Sequence, residues 1–138
     1  MATLNLIRGQ PRAGKSTAAK MMFPGTLLLE NDQFLIQDNE YRWSKERVKD
    51  AINWCVRMTK LALQNNMDVC VANTFTKKRF IEAYKKIADE CNAKFEVYRC
   101  TGNFRNVHGL NDKMVQNFKH AMEDWPGEIF VDPVDMTS

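Results

Sequence analysis

Long apolar runs, internal repeats and tracts rich in proline, glycine or serine are all missing from this sequence. No window approaches the roughly 18 apolar residues that a membrane-spanning helix needs. Met1–Ile7 has neither the basic start nor the apolar length of a signal peptide. We therefore expect a cytoplasmic protein, and a length of 138 residues predicts a single domain, 1–138.

The sequence also lacks a metal-binding or disulfide pattern and a strong excess of one charge. Its cysteines, Cys55, Cys70, Cys91 and Cys100, form no CxxC pair and have no histidine at ligand spacing. Three of them lie in apolar runs, which predicts buried free thiols in a reducing compartment. Lys and Arg total 20 against 17 Asp and Glu, a net charge of +3. This balance excludes a histone-like polybasic protein but allows a local basic face.

What the sequence has is an alternation of short apolar runs with amphipathic segments. The runs predict strands at 4–8, 26–29, 69–72, 95–99 and 128–131. Helices are predicted over 16–22, from an N-cap at Ser44 to about 65, and from an N-cap at Thr76. A last helix is predicted from an N-cap at Asn111, and its inward-facing residues are Val115, Phe118, Met122 and Trp125. Alternating strands and helices predict a three-layer α/β fold, with a central parallel sheet of four or five strands and helices on both faces.

The most specific motif is GxxxxGK[ST], which follows the first predicted strand and opens the first predicted helix. In such a phosphate-binding loop, backbone N–H groups and a helix N-terminus surround phosphate, the lysine reaches the β- and γ-phosphates, and the hydroxyl binds Mg²⁺. We therefore predict a P-loop NTPase or kinase that binds ATP and Mg²⁺. The loop residues are Gly9, Gln10, Pro11, Arg12, Ala13, Gly14, Lys15, Ser16 and Thr17.

A carboxylate at the end of the second predicted strand would emerge beside this loop. Asp32 is our candidate for the base that accepts the acceptor's proton and for a second contact to Mg²⁺, while Glu30 is the alternative because it follows the apolar run more directly. Asp32 could also simply cap the following turn.

Several segments resemble the polynucleotide-kinase-like P-loop kinases, a family that includes phage polynucleotide kinases and hydroxymethyluracil DNA kinases. GQPRAGKST is similar to their GxPxSGKST loop, and Asn73-Thr74-Phe75 looks like their DNT or NTN segment. Phe104–Leu110 resembles their lid. The resemblance implies catalytic roles for Asp32, Lys15 and Arg105, with Arg105 on the transferring phosphate. It implies acceptor contacts from Asn73, Thr74, Asn106 and His108.

Two positions depart from this family. Ala72 stands where the family often has a metal-orienting aspartate, and Leu35 stands where phage polynucleotide kinases have an acceptor-binding arginine. The first departure leaves Mg²⁺ to Ser16 and Asp32. The second puts ordinary recognition of a 5′-hydroxyl end in doubt.

Aromatic and cationic side chains provide candidates for contacting the acceptor. Cations interleaved with aromatics can contact phosphates and stack on bases, although such residues are often core or a solvated helix face. We predict transfer of phosphate to a hydroxyl of nucleic acid, either a hydroxymethyl group on a DNA base or a 5′-end. The alternatives are a kinase for a nucleoside or other small molecule, and a nucleotide-binding module without chemistry. The acceptor-contacting candidates are Tyr41, Arg42, Trp43, Lys77 and Arg79.

Overall fold

A five-stranded parallel sheet is the centre of the computed structural model, which describes residues 1–10, 13–37, 40–42, 44–101 and 122–132. In chain order the elements are β1 (Thr3–Arg8), α1 (Lys15–Met22), β2 (Leu27–Leu29), α2 (Asn31–Leu35), β3 (Ile36–Gln37), β4 (Glu40–Tyr41), α3 (Lys45–Gln64), β5 (Val69–Ala72), α4 (Lys78–Glu90), β6 (Lys94–Cys100) and β7 (Ile129–Val131). All five predicted strands are therefore confirmed, with ends shifted by one residue at most.

The strand order β2-β5-β1-β6-β7 puts β1 in the middle of the sheet. Every neighbouring pair in the sheet is parallel, and Leu6 lies opposite Val71 on one side and Val97 on the other. Parallel strands need crossover connections, and α1, α3 and α4 lie in those from β1 to β2, from β2 to β5 and from β5 to β6. As a result, the carboxyl ends of β1, β2 and β5 meet at one edge, where open α/β sheets bind ligands.

Helices cover both faces of the sheet, which confirms the three-layer α/β fold. On one face Leu4 and Leu6 of β1 pack in the core formed with α3 and α4. On the other face Ile7 packs with Ala18 and Ala19 of α1. The alternation of side chains along β1 explains this division, because successive residues of a strand point to opposite faces.

The predicted N-caps of the two long helices had different outcomes. Ser44 is confirmed, since its Oγ accepts a hydrogen bond from the Arg47 N–H at 3.1 Å. Thr76 is wrong, because α4 begins at Lys78 with Lys77 as the N-cap residue. The Lys78 N–H donates instead to a carboxylate oxygen of Glu123 at 2.9 Å. A side chain 45 residues away along the chain thus replaces the local cap.

The last predicted helix is wrong at its carboxyl end. Met122 and Trp125 lie in irregular structure, although Trp125 does pack inward, with its ring centroid 6.5 Å from that of Phe95. The turn at Pro126–Gly127, in which Gly127 has φ of +82°, ends any helix before β7. Asn111, Val115 and Phe118 lie outside the described residues.

The short helix α2 and the antiparallel pair β3–β4 were not predicted from the sequence. The cysteine prediction holds within the structure, since all four thiols are free and only Cys91 is not buried. Across the described parts of the chain, no helix combines the length and apolar character needed to cross a bilayer.

Candidate active site

A cleft of about 490 Å³ lies where the carboxyl ends of β1, β2 and β5 meet. Its size is within the range of ligand-binding sites, about 300–1,000 Å³. The described residues that line it are Gly14, Lys15, Ser16, Thr17, Glu30, Asn31, Asp32, Ala72, Asn73 and Thr74. The cleft therefore brings the last four residues of the motif, Gly14–Thr17, together with both carboxylates predicted from the second strand.

The phosphate-binding loop connects β1 to α1 and has glycine at both ends. Gly14 has φ of +86°, a left-handed conformation that favours glycine, and α1 begins at the next residue. A Cβ atom on Gly9 would lie 3.0 Å from Ala13 Cβ and 3.1 Å from the Cys100 carbonyl oxygen. A side chain at the first position of the loop would therefore make unusually tight contacts with Ala13 and β6, and its neighbours would have to move by a few tenths of an ångström. Pro11 and Arg12 of the motif lie outside the described residues.

Lys15 folds back over the loop. Its Nζ donates hydrogen bonds to the carbonyl oxygens of Gly9 and Gln10, each at 3.1 Å. Burial lowers the pKa of Lys15, because removal from water disfavours the charged ammonium. An anionic group near Nζ would counter that cost, so the lysine is suited to bind phosphate.

Ser16 and Glu30 are brought into direct contact. The Ser16 hydroxyl donates a hydrogen bond to the carboxylate of Glu30. Glu30 immediately precedes α2, and its backbone N–H donates to the Gln33 side-chain oxygen at 3.1 Å. A carboxylate and a hydroxyl oxygen therefore lie side by side in the cleft, and these are hard oxygen donors of the type that Mg²⁺ prefers.

Asp32 is an exposed residue in the first turn of α2 and lines the same cleft. The adjoining backbone is tied to β5, because the Asn31 N–H donates to the Asn73 side-chain oxygen at 2.9 Å. Asn73 in turn donates its N–H to the Ile7 carbonyl at 3.2 Å. These two hydrogen bonds hold the carboxyl ends of β1, β2 and β5 in register around the cleft.

The candidate acceptor contacts are distributed around this edge. Arg42 is exposed and pairs with Glu40 at 3.2 Å. Lys77 and Arg79 are exposed at the start of α4, next to the cleft-lining Thr74, and the Arg79 guanidinium lies 5.0 Å from the Phe80 ring centroid. Tyr41 is placed by its backbone in β4. Outside the described residues lie Trp43, Arg105, Asn106 and His108.

The two departures from the resembled family are buried side chains. Ala72 is buried at the end of β5, and Leu35 is buried in α2. Leu35 therefore serves the core, and the chain has no carboxylate at the end of β5.

No family model matches this sequence. The uncharacterized protein PM0531 of Pasteurella multocida (strain Pm70) is 31% identical to it over 156 aligned positions, which cover 97% of this chain and 85% of the relative. The chain belongs to the family of this protein.

Solved structures establish the fold. A sugar kinase from Janibacter sp. HTCC2649 aligns with a TM-score of 0.65 and 12% identity, over 95% of this chain and 84% of its own. A gluconokinase from Sinorhizobium meliloti 1021 aligns with a TM-score of 0.60 and 14% identity, over 95% of this chain and 82% of its own. A chain of the Pnkp1/Rnl/Hen1 RNA repair complex aligns with a TM-score of 0.61 and 17% identity, over 91% of this chain and 40% of its own. The chain therefore has the fold of P-loop kinases.

Arg8, at the end of β1, is a structural residue of the site that the sequence analysis missed. Its side chain is fully buried, and its Nε and one terminal nitrogen donate to the Phe75 carbonyl at 3.1 and 2.6 Å. Phe75 has φ of +46°, which is costly for a non-glycine residue and needs support from its surroundings. Arg8 thus holds the turn that follows Asn73 and Thr74.

Glu128 is the ionic partner of Arg8. Their side chains meet at 3.2 Å, and only 4% of the Glu128 side chain is exposed. The other Glu128 oxygen accepts from the Trp125 N–H at 2.7 Å and lies 3.6 Å from Arg99. Burial lowers the pKa of Arg8, and the carboxylate of Glu128 opposes that change. A charged residue at the end of an otherwise uncharged strand is the signal in the sequence that could have found this network.

Proposed function

We propose that this chain transfers the γ-phosphate of ATP to a hydroxyl group of nucleic acid. The observation that carries the proposal is the meeting of Lys15, Ser16, Glu30 and Asp32 in one cleft at the carboxyl edge of the parallel sheet. A cation, paired oxygen ligands and a further carboxylate are the groups that phosphoryl transfer requires.

The phosphate-binding loop and Lys15 hold the triphosphate. Lys15 exchanges its hydrogen bonds to the Gly9 and Gln10 carbonyls for bonds to phosphate oxygens, which are stronger because both partners are charged. The N-terminus of α1 adds its partial positive charge. Arg12 and Arg105 complete the cationic surroundings in this proposal, with Arg105 on the transferring group.

The residues present fit a magnesium ion. Ser16 and Glu30 supply adjacent oxygen ligands, and Asp32 lines the same cleft. At a nucleotide site Mg²⁺ is held by only one or two protein carboxylates together with phosphate oxygens and waters, so these few protein oxygens are enough. When bound, the ion neutralises charge on the phosphates.

Asp32 acts as the base. It is exposed in the cleft and is not the carboxylate that contacts Ser16, so it can approach an incoming hydroxyl. A carboxylate at this position accepts the proton that the acceptor loses as its oxygen attacks the γ-phosphorus.

Nucleic acid as the acceptor is supported by the exposed cations Arg42, Lys77 and Arg79, which lie in the segments that follow β2 and β5, and by the resemblance to polynucleotide-kinase-like enzymes. A structural neighbour from an RNA repair complex is consistent with it. The sugar kinase and gluconokinase neighbours favour a second candidate, a kinase for a small molecule.

The test is transfer of radiolabel from ATP to a panel of 5′-hydroxyl DNA, 5′-hydroxyl RNA, hydroxymethyluracil DNA, free nucleosides and gluconate. We expect label on a polymer, and turnover lower by about a hundredfold in Asp32→Ala with nearly unchanged ATP affinity. Asp50→Ala, which removes an exposed carboxylate of α3, is the matched control. Label on gluconate or nucleosides alone would replace the proposal by the second candidate.

A further inference from the structure

A second, smaller recess opens beside the cleft, between α3 and α4. Its volume is about 100 Å³. Its walls are apolar or aromatic side chains of the two helices, namely Ile52, Val56, Phe80, Ala83 and Tyr84. Among the five helix residues that line the recess, Tyr84 alone carries a hydroxyl, and Tyr84 is buried. These helix walls offer few partners for the hydroxyls of a sugar, and the polar residues of the recess, Asn31, Asn73, Thr74 and Thr76, lie outside the two helices.

The recess is continuous with the phosphate cleft. Asn31, Asn73 and Thr74 line both spaces. A group seated between the helices would therefore have its attached atoms at the edge of the cleft that contains Asp32. This is where an acceptor hydroxyl has to be.

The boundary between the two spaces holds an unsatisfied acceptor. The side-chain oxygen of Asn31 is buried and receives no hydrogen bond from any residue that the structure describes. Such an atom in a native protein needs an explanation, and a missing ligand or water is a common one. A ligand N–H close to Asn31 would supply the donor.

Two cations lie close to the recess along the chain. The Arg79 guanidinium is 5.0 Å from the ring centroid of Phe80, a wall residue, and Lys77 is the N-cap residue of α4. An apolar aromatic interior with cations nearby complements a flat ring that is joined to phosphates. Bases stack on aromatic side chains while Arg and Lys contact the backbone.

The geometry points to this recess as a subsite for one nucleobase of the acceptor strand, unstacked from its neighbours and bound next to the transfer site. This inference rests on the proposed function. The recess volume of about 100 Å³ is below the roughly 150 Å³ of a closed cavity that admits benzene. A six-membered ring would therefore enter the recess only in part, and a fused pair of rings would fit less well.

Binding of labelled oligonucleotides to the full chain tests the subsite without requiring catalysis. The probes are a thymidine decamer, an adenosine decamer and an abasic decamer with the same phosphates. Binding of each probe is measured by fluorescence anisotropy. We expect the thymidine decamer to bind about tenfold more tightly than the abasic strand, the scale of one base–aromatic contact. The adenosine decamer should lie between them.

Ala83→Phe fills the recess from an exposed helix position, and Asn53→Phe places the same side chain on exposed α3 surface that is not part of it. We expect Ala83→Phe to abolish the preference for thymidine over abasic strands while Asn53→Phe retains it. Equal binding of thymidine and abasic strands by the unmodified chain, or an unchanged preference in Ala83→Phe, would overturn the subsite. If label from ATP still reaches a polymer in either case, the proposed function survives. If Lys15→Ala loses ATP binding but the unmodified chain labels no acceptor, the proposed function fails independently of the subsite.

Discussion

Removal of the Glu128 carboxylate is the sharpest test of how the site is held together. In Glu128→Ala the buried guanidinium of Arg8 loses its partner at 3.2 Å, and the Trp125 N–H loses its acceptor at 2.7 Å. Arg8 keeps its hydrogen bonds to the Phe75 carbonyl, so a positive charge remains in the interior with only a neutral acceptor. Water cannot replace the carboxylate easily, because the Arg8 side chain is fully buried.

The expected cost follows from that burial. Removing one partner of a buried ion pair costs about 3–5 kcal/mol, a large share of the 5–15 kcal/mol by which domains are typically stable. For a chain of 138 residues, each kcal/mol corresponds to a fall in Tm of about 3–4 °C. Glu128→Ala should therefore lower Tm by roughly 10–20 °C.

Thermal and urea denaturation monitored by circular dichroism would measure this cost. The matched control is Asp124→Ala. The Asp124 side chain is 88% exposed and pairs with Arg99, so its removal should cost at most about 1 kcal/mol. The double variant Arg8→Met with Glu128→Leu removes both charges and should recover much of the loss. A cost below about 1 kcal/mol for Glu128→Ala would refute the assignment of this pair as a structural anchor.

Two further predictions concern titratable groups. Burial lowers the pKa of Lys15, so the amine becomes neutral, and no longer attracts phosphate, at a pH below the ordinary lysine pKa of about 10.4. ATP affinity measured by calorimetry should therefore fall as the pH rises through that lowered pKa. Lys15→Arg should show no such fall, and a flat profile for the unmodified chain would contradict the reasoning. Burial also raises the pKa of the Cys55 and Cys100 thiols to about 11 and that of Cys70 to about 12. A thiol reagent that releases a coloured product should therefore modify Cys91 first at mild pH, which gives a fast phase in the absorbance. That fast phase should vanish in Cys91→Ser, and its persistence would show that a buried thiol is reactive.

Features of this protein with a local cause were predictable. The strand β5 is a continuous apolar run because it is buried on both faces. The phosphate-binding loop is legible because its glycines, lysine and serine act within nine consecutive residues. Ser44 was found because an N-cap bonds to a residue only three positions away.

Features that depend on distant residues were not predictable. The start of α4 depends on Glu123, which replaces a local cap at Thr76. Trp125 packs inward without the helix that its spacing with Met122 indicated, since a place in the core needs burial and no particular periodicity. Which of the two carboxylates after β2 contacts Ser16 depends on where α2 begins, because that start places Glu30 against Ser16 and leaves Asp32 exposed.

The sequence by itself determined the α/β layering and the phosphate-binding loop, because hydrophobic periodicity and backbone chemistry act between near neighbours in the chain. Only the tertiary structure decided how the site is assembled. Arg8 and Glu128 are separated by 120 residues, and the apolar recess exists only because α3 and α4 pack side by side over the turn after β5. Such contacts depend on which strands become neighbours in the sheet, and that order arises from the packing of the whole core.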